Sequence, residues 1–295
     1  MTFNTQTFKT RTLTALVFVA VMLAGLLWNH WSFFVLFSII HFGCWFEYQK
    51  LVGLIDPGYK EITPFHRYGV MVAGWCLLLW FTGDQYVLFG IRLHEIGWWL
   101  GLPIVFLLPI TELLFTSNIR LKNIAHSFFG LLYISLSFGL LMDLRQEFFI
   151  AELSKTYTTP PAWHYVVAPC AVIAALWIND TMAYIVGSMI GRTPLSSISP
   201  KKTWEGTIGG VVLAVGVTGL LAWLLDFDYK IIMVIAAISA IFGTTGDLLE
   251  SKLKRLAGVK DSGSIMPGHG GFLDRFDSLL LAIPFVWLFL RLVMM

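Results

Sequence analysis

The residues able to do chemistry crowd into the second half of the chain, in three polar clusters set among apolar runs. The longest, from Asp247 to Asp277, reads DLLESKLKRLAGVKDSGSIMPGHGGFLDRFD. Asp247, Glu250, Ser251 and Lys254 recur at i, i+3, i+4 and i+7, the spacing of one helical face. Lys254, Arg255 and Lys260 follow closely, then a glycine-rich turn holding His269, then Asp274, Arg275 and Asp277. Hard carboxylate oxygens suit Mg²⁺, which takes one or two of them together with substrate phosphates. Interleaved cations neutralise a polyphosphate, and a metal polarises its phosphorus. The chemistry this composition points to is metal-assisted phosphoryl or nucleotidyl transfer.

Asn179-Asp180-Thr181-Met182-Ala183-Tyr184 forms the second cluster, inside an apolar run. Asp180 stands about ten residues, roughly 15 Å along a helix, from the end of that run. A carboxylate at such depth is costly and faces a cavity or a partner. Asp180, Tyr184, Gly187 and Gly191 share one helical face, although the two glycines serve equally well as a packing surface. In the third cluster, Ser199-Pro200-Lys201-Lys202-Thr203-Trp204-Glu205-Gly206, hydroxyls and lysines precede a helix start, where free N–H groups receive phosphates. By composition alone it is also an ordinary basic loop.

The elements that must position these residues are membrane spans. Of the 295 residues 57% are apolar and 13% charged, and the mean hydropathy is +0.75. A soluble domain carries about 25% charged residues. Crossing a bilayer takes roughly 20 apolar residues in a helix. Nine such runs lie near 13–28, 31–47, 68–82, 97–114, 124–142, 165–189, 206–225, 230–246 and 278–294, so the expected fold is all-α and polytopic. With the N-terminus inside, 15 of the 20 Lys and Arg fall on the cytoplasmic side, as the positive-inside rule asks. That count puts the C-terminus on the opposite face of an inner (plasma) membrane, and all three polar clusters at the cytoplasmic one. The basic start followed by an apolar run is read as a retained span, because it lacks a small-x-small cleavage site. Cys44, Cys76 and Cys170 lie in apolar stretches without paired spacing and read as packing residues.

Ser251, Leu253, Lys254, Arg255, Lys260, Asp261, Gly263, Pro267, His269, Gly270, Gly271, Asp274, Arg275 and Asp277 together resemble the signature of the phosphatidate cytidylyltransferases, or CDP-diacylglycerol synthases. The one departure is Met266 where that pattern has Leu, Ile or Phe, an apolar swap of similar size. The Asn179–Tyr184 and Ser199–Gly206 stretches resemble further blocks of the family, so the likeness covers roughly residues 175–280.

The resemblance implies a helical membrane enzyme that joins CTP to phosphatidate with Mg²⁺, works as a homodimer and has no nucleic-acid partner. It implies metal contacts from Asp247 and Asp274, with Asp277 beside them. Lys254, Arg255, Lys260 and His269 complete the expected catalytic set. His269 acts either as an acid–base group or, for an attacking phosphate that is already ionised, as a phosphate contact. Asp180, Tyr184, Ser199, Lys201, Lys202, Thr203, Glu205, Ser251, Asp261 and Arg275 are the expected substrate contacts. Residues 1–164 then supply about five spans for lipid access or dimer contact, and 165–295 the catalytic region.

Other readings are a nucleotidyltransferase for a different lipid phosphate and a non-catalytic or transport relative. A CDP-alcohol phosphotransferase is disfavoured, since its D-G-x-x-A-R motif is absent. Asp274→Asn is expected to abolish turnover while leaving the protein folded; retained turnover in a lipid-incorporation assay rejects Asp274 as a metal contact.

Overall fold

The computed structural model describes residues 5–115, 120–145, 165–263 and 270–293. Nine helices run through them: α1 (Thr5–Leu27), α2 (His30–Ile55), α3 (Pro64–Trp80), α4 (Leu93–Phe115), α5 (Leu121–Asp143), α6 (Val167–Ile190), α7 (Trp204–Leu224), α8 (Tyr229–Leu256) and α9 (Leu273–Val293). The protein is an all-helical, multi-pass membrane protein, as the hydropathy pattern predicts. The other regular elements among the described residues are a turn of 3₁₀ helix at Pro57–Glu61 and a small hairpin pairing Val87–Leu88 with Ile91–Arg92. Phe89 and Gly90 turn that hairpin with φ of 50° and 82°, the paired positive values of a tight two-residue connection.

Seven of the helices have the length and apolarity to cross a membrane. The other two answer to the short first and third runs of the sequence, an apolar stretch at Thr14–Leu27 and the 17-residue α3. Large apolar side chains stay exposed along these helices, including Trp99, Phe106, Leu114 and Val212. In a lipid solvent such faces need no protein cover; what must be satisfied internally is the backbone. For the same reason Pro103 and Pro109 in α4 and Pro284 in α9 are carried inside spans.

Helix ends differ from the sequence expectation where local polar chemistry decides them. The run at 230–246 becomes the 28-residue α8, because the polar face beginning at Asp247 continues the helix to Leu256. Between α1 and α2 stand only Trp28 and Asn29. The Asn29 side chain accepts from Ser32 N (2.8 Å), and Ser32 Oγ accepts from Asn29 N (3.1 Å), a reciprocal capping box that starts α2 at once.

Two compact units divide the chain. The first holds the described residues of Met1–Leu79, Asp84–Ser135 and Leu253–Phe276; the second holds those of Trp80–Gly83, Leu136–Lys252 and Asp277–Met295. α5 passes through a π segment at Leu131–Leu136, and within the first unit its Ser135 Oγ bonds His41 Nε2 (2.9 Å) and Trp45 Nε1 (2.8 Å) of α2. Within the second, α6 and α7 approach closely enough that their backbones nearly touch. A Cβ at Gly206 would stand 2.6 Å from the Ala183 carbonyl, and one at Gly210 would stand 2.8 Å from the Asn179 carbonyl. Small residues are what allow helices in lipid to come this close.

Gly216, on the same helix, faces open space. Gly210→Ala is therefore expected to lower stability by about 1–3 kcal/mol through overpacking. Gly216→Ala should leave stability unchanged or raise it by up to about 1 kcal/mol. Thermal unfolding of the two variants in detergent compares them directly.

Candidate active site

In the second unit a cavity of about 560 Å³ gathers residues from all three polar clusters. Asn179, Asp180, Ala183, Tyr184, Gly187 and Ser188 reach it from α6. Ser199, Lys201, Lys202 and Thr203 come from the following loop, Thr207 from α7, and Thr244 and Asp247 from α8. Segments some seventy residues apart in sequence thus face one space, with two carboxylates and two lysines among them.

Specific bonds set the geometry. Lys202 Nζ is in direct ion-pair contact with Asp247 Oδ2, each side chain about one-third exposed. Ser251 donates to the other oxygen, Asp247 Oδ1, at 3.2 Å. The Asn179 amide nitrogen lies 3.4 Å from Thr244 Oγ1 and 3.5 Å from Asp180 Oδ1, tying α6 to α8 behind the carboxylates.

The loop carrying the lysines is closed at its base. Glu205 accepts from Arg192 N (3.1 Å) and Thr193 N (3.2 Å), and Trp204 N donates to the Thr193 carbonyl at 2.9 Å. Thr203 caps α7 through Gly206 N at 3.2 Å. Glu205 therefore faces the loop's neck and does not line the cavity; it fixes the shape that presents Lys201 and Lys202.

A second constellation sits in the first unit. Asp274, in the first turn of α9, pairs through Oδ1 with Lys254 Nζ at 2.7 Å. Its Oδ2 accepts from Gly271 N (2.8 Å), Ser262 N (2.9 Å) and Ser262 Oγ (2.9 Å). Gly270, with φ of 81°, has no room for a side chain: a Cβ would stand 2.7 Å from Asp274 Oδ2.

Sequence reasoning missed Glu47, the residue that holds this loop. Buried on α2, it accepts from Ser262 Oγ (2.7 Å), Phe272 N (2.9 Å) and Leu273 N (2.8 Å), and Gly263 and Gly271 pack directly on its carboxylate. The signal in the sequence was slight, because Glu47 is the last residue of the apolar run at 31–47 and reads as its polar border.

The remaining expected residues are dispersed. Asp277 is buried in the second unit and accepts from Ser278 N at 2.7 Å. Its carbonyl lies against α8 at Gly246. Arg255, Lys260, Asp261 and Arg275 are exposed, and His269 lies outside the described residues.

No three His, Cys, Asp or Glu side chains of the described residues gather into a metal-binding group. Asp180 and Asp247 do line one cavity, and the cationic Lys202 ammonium already sits on Asp247. A pair of hard oxygen donors open to a phosphate-sized space fits a divalent ion such as Mg²⁺, which keeps waters and substrate oxygens in its other positions.

The model of the cytidylyltransferase family matches residues 9–293. A phosphatidate cytidylyltransferase of Staphylococcus haemolyticus is 38% identical over 193 residues, 61% of this chain and 73% of that protein. One from Bacillus subtilis is 36% identical over 224 residues, covering 73% and 77%. One from Synechocystis is 49% identical over 125 residues, covering 41% and 42%.

Glu47→Ala strands the backbone N–H groups of Phe272 and Leu273, and unmade buried hydrogen bonds cost about 1–3 kcal/mol each. Thermal unfolding should show a large loss for Glu47→Ala and a smaller one for Glu47→Gln, which keeps an acceptor. Equal, negligible losses would mean that the carboxylate does not hold the loop.

Proposed function

The chain belongs to the cytidylyltransferase family, and from that premise we infer that it is a phosphatidate cytidylyltransferase, converting CTP and phosphatidate to CDP-diacylglycerol and pyrophosphate. The observation that carries this reading is the meeting of Asp180, Lys201, Lys202 and Asp247 in one cavity of a membrane-embedded helical unit. A polyphosphate needs cations to neutralise it and oxygen donors for its metal, and both are within that space.

An oxygen of the phosphatidate phosphate attacks the α-phosphorus of CTP in line, and the bond from that phosphorus to the bridging oxygen breaks as pyrophosphate leaves. The attacking phosphate is already ionised, so the cavity needs no general base. The protein's share of such a reaction is positioning and electrostatic stabilisation. Lys202 is held on Asp247 and can turn its ammonium to pair with an arriving phosphate, while Ser251 keeps Asp247 oriented. Lys201, Ser199 and Thr203 add donors to the nucleotide's phosphates, and Asp180 and Tyr184 line the opposing α6 wall. Cytidylyltransferases generally use a divalent metal; Mg²⁺ would be held in this cavity by Asp247 with Asp180 beside it, Asp274 and Asp277 staying the further metal contacts their motif suggests, and it would supply charge stabilisation at the transferring phosphoryl.

Lys254 and Asp274 are reaction residues of the first unit. Asp277, Arg255, Lys260, Asp261, Arg275 and His269 keep the roles their motif suggests. The enzyme lies in the plasma membrane with its N-terminus cytoplasmic, where CTP is found, and acts as a homodimer. Phosphatidate reaches it laterally from the inner leaflet. No nucleic acid takes part.

The test is incorporation of radiolabelled CTP into chloroform-soluble lipid by the purified protein, with phosphatidate and Mg²⁺. Label should appear only when phosphatidate is present. Asp247→Asn should lower incorporation by at least about 10²-fold, the scale of losing one preorganised electrostatic group. Lys202→Met should reduce it similarly while the protein stays folded. Incorporation independent of phosphatidate, or undiminished in both variants, overturns the reading.

A further inference from the structure

A separate cavity of about 540 Å³ opens in the first unit, where α2 and α3 are joined by the 3₁₀ turn. Its charged lining is wholly basic: Lys50 from α2, Lys60 from the turn and Arg67 from α3. Phe46, Leu54 and Tyr68 complete the wall with exposed apolar surface, at 54%, 40% and 55% exposure. The positive-inside rule accounts for the sign of these charges. It does not account for three of them converging on one hollow with an apolar rim.

The fold holds the cations there. Gly53 lets the Lys60 stem lie flat across α2, since a Cβ at that position would meet Lys60 Cγ at 3.1 Å and Cε at 3.4 Å. The Gln49 side chain, itself buried, donates to the Arg67 carbonyl at 2.9 Å and fixes the start of α3 against α2. Arg67 brings a buried Nε that has no hydrogen-bond partner among the described residues. Three like charges around one space are at their lowest energy when an anion sits among them, and guanidinium and ammonium groups together are a phosphate-binding set.

We propose that this hollow binds the phosphate of an anionic membrane phospholipid, whose acyl chains run along Phe46, Leu54 and Tyr68. The shared chemistry is an ionised phosphate, and the apolar rim is what favours a lipid over the free ion. The proposal requires only that the chain spans a membrane, so it stands or falls separately from the catalytic reading.

Native mass spectrometry of the full-length protein in detergent, titrated with phosphatidylglycerol, phosphatidylcholine or inorganic phosphate, tests it. Wild-type protein should retain phosphatidylglycerol well above phosphatidylcholine. Each of Lys50→Gln, Lys60→Gln and Arg67→Gln should weaken phosphatidylglycerol binding by about fivefold. The triple variant should erase the preference, while Lys230→Gln, away from the cavity, should not alter it. If the triple variant does not fold, the three single variants and their multiplicative losses decide the matter. Equal retention of the two lipids by wild type, or unchanged binding in every single variant, overturns the proposal. Inorganic phosphate that binds as tightly as phosphatidylglycerol, with the same loss in the variants, overturns the lipid as its source and assigns the hollow to free phosphate.

Discussion

A charge placed among apolar helices has to be met by a partner, and this requirement organises the polar half of the molecule. An isolated ion among apolar helices is costly, so these carboxylates are met by partners. Lys202 meets Asp247, Lys254 meets Asp274, and Arg291 meets Asp143 with Trp287 alongside. Glu47 faces a hydroxyl and two backbone N–H groups. Because a desolvated pair gains little net stability and is costly to break, such pairs hold position more than they stabilise the fold. Position is what phosphoryl transfer asks of a protein.

The two lysine–aspartate pairs also describe a resting state. Asp247 and Asp274 are each met by a lysine ammonium that comes from a different segment of the chain. A ligand taking up either carboxylate would first have to displace that ammonium.

Much of this was legible from residue order. Asp180, Lys202 and Asp247 stand out because polar side chains in apolar runs are rare, and the nine helices of the described residues follow from apolar length. What was not legible lay in side chains whose partners are distant in sequence. Glu47 bonds residues more than two hundred positions away, and nothing near it on α2 hints at them. His66, Glu112, Thr63 and Ser127 likewise form a buried polar network in a half of the chain that reads as plain spanning material. The bonds of Glu205 to Arg192 and Thr193 depend on how the loop folds back, which spacing does not encode. The length of α8 was hidden by a related limit, since hydropathy ends where polarity begins but a helix need not.

The connection between α1 and α2 bears on how the protein is made. With Trp28 and Asn29 alone separating the helices, and the capping box already satisfying the first free N–H groups of α2, no stretch of chain is long enough to wait in water as a loop. The two helices are therefore suited to leaving the insertion machinery as one hairpin, so that the marginal apolarity of the first is carried by the second.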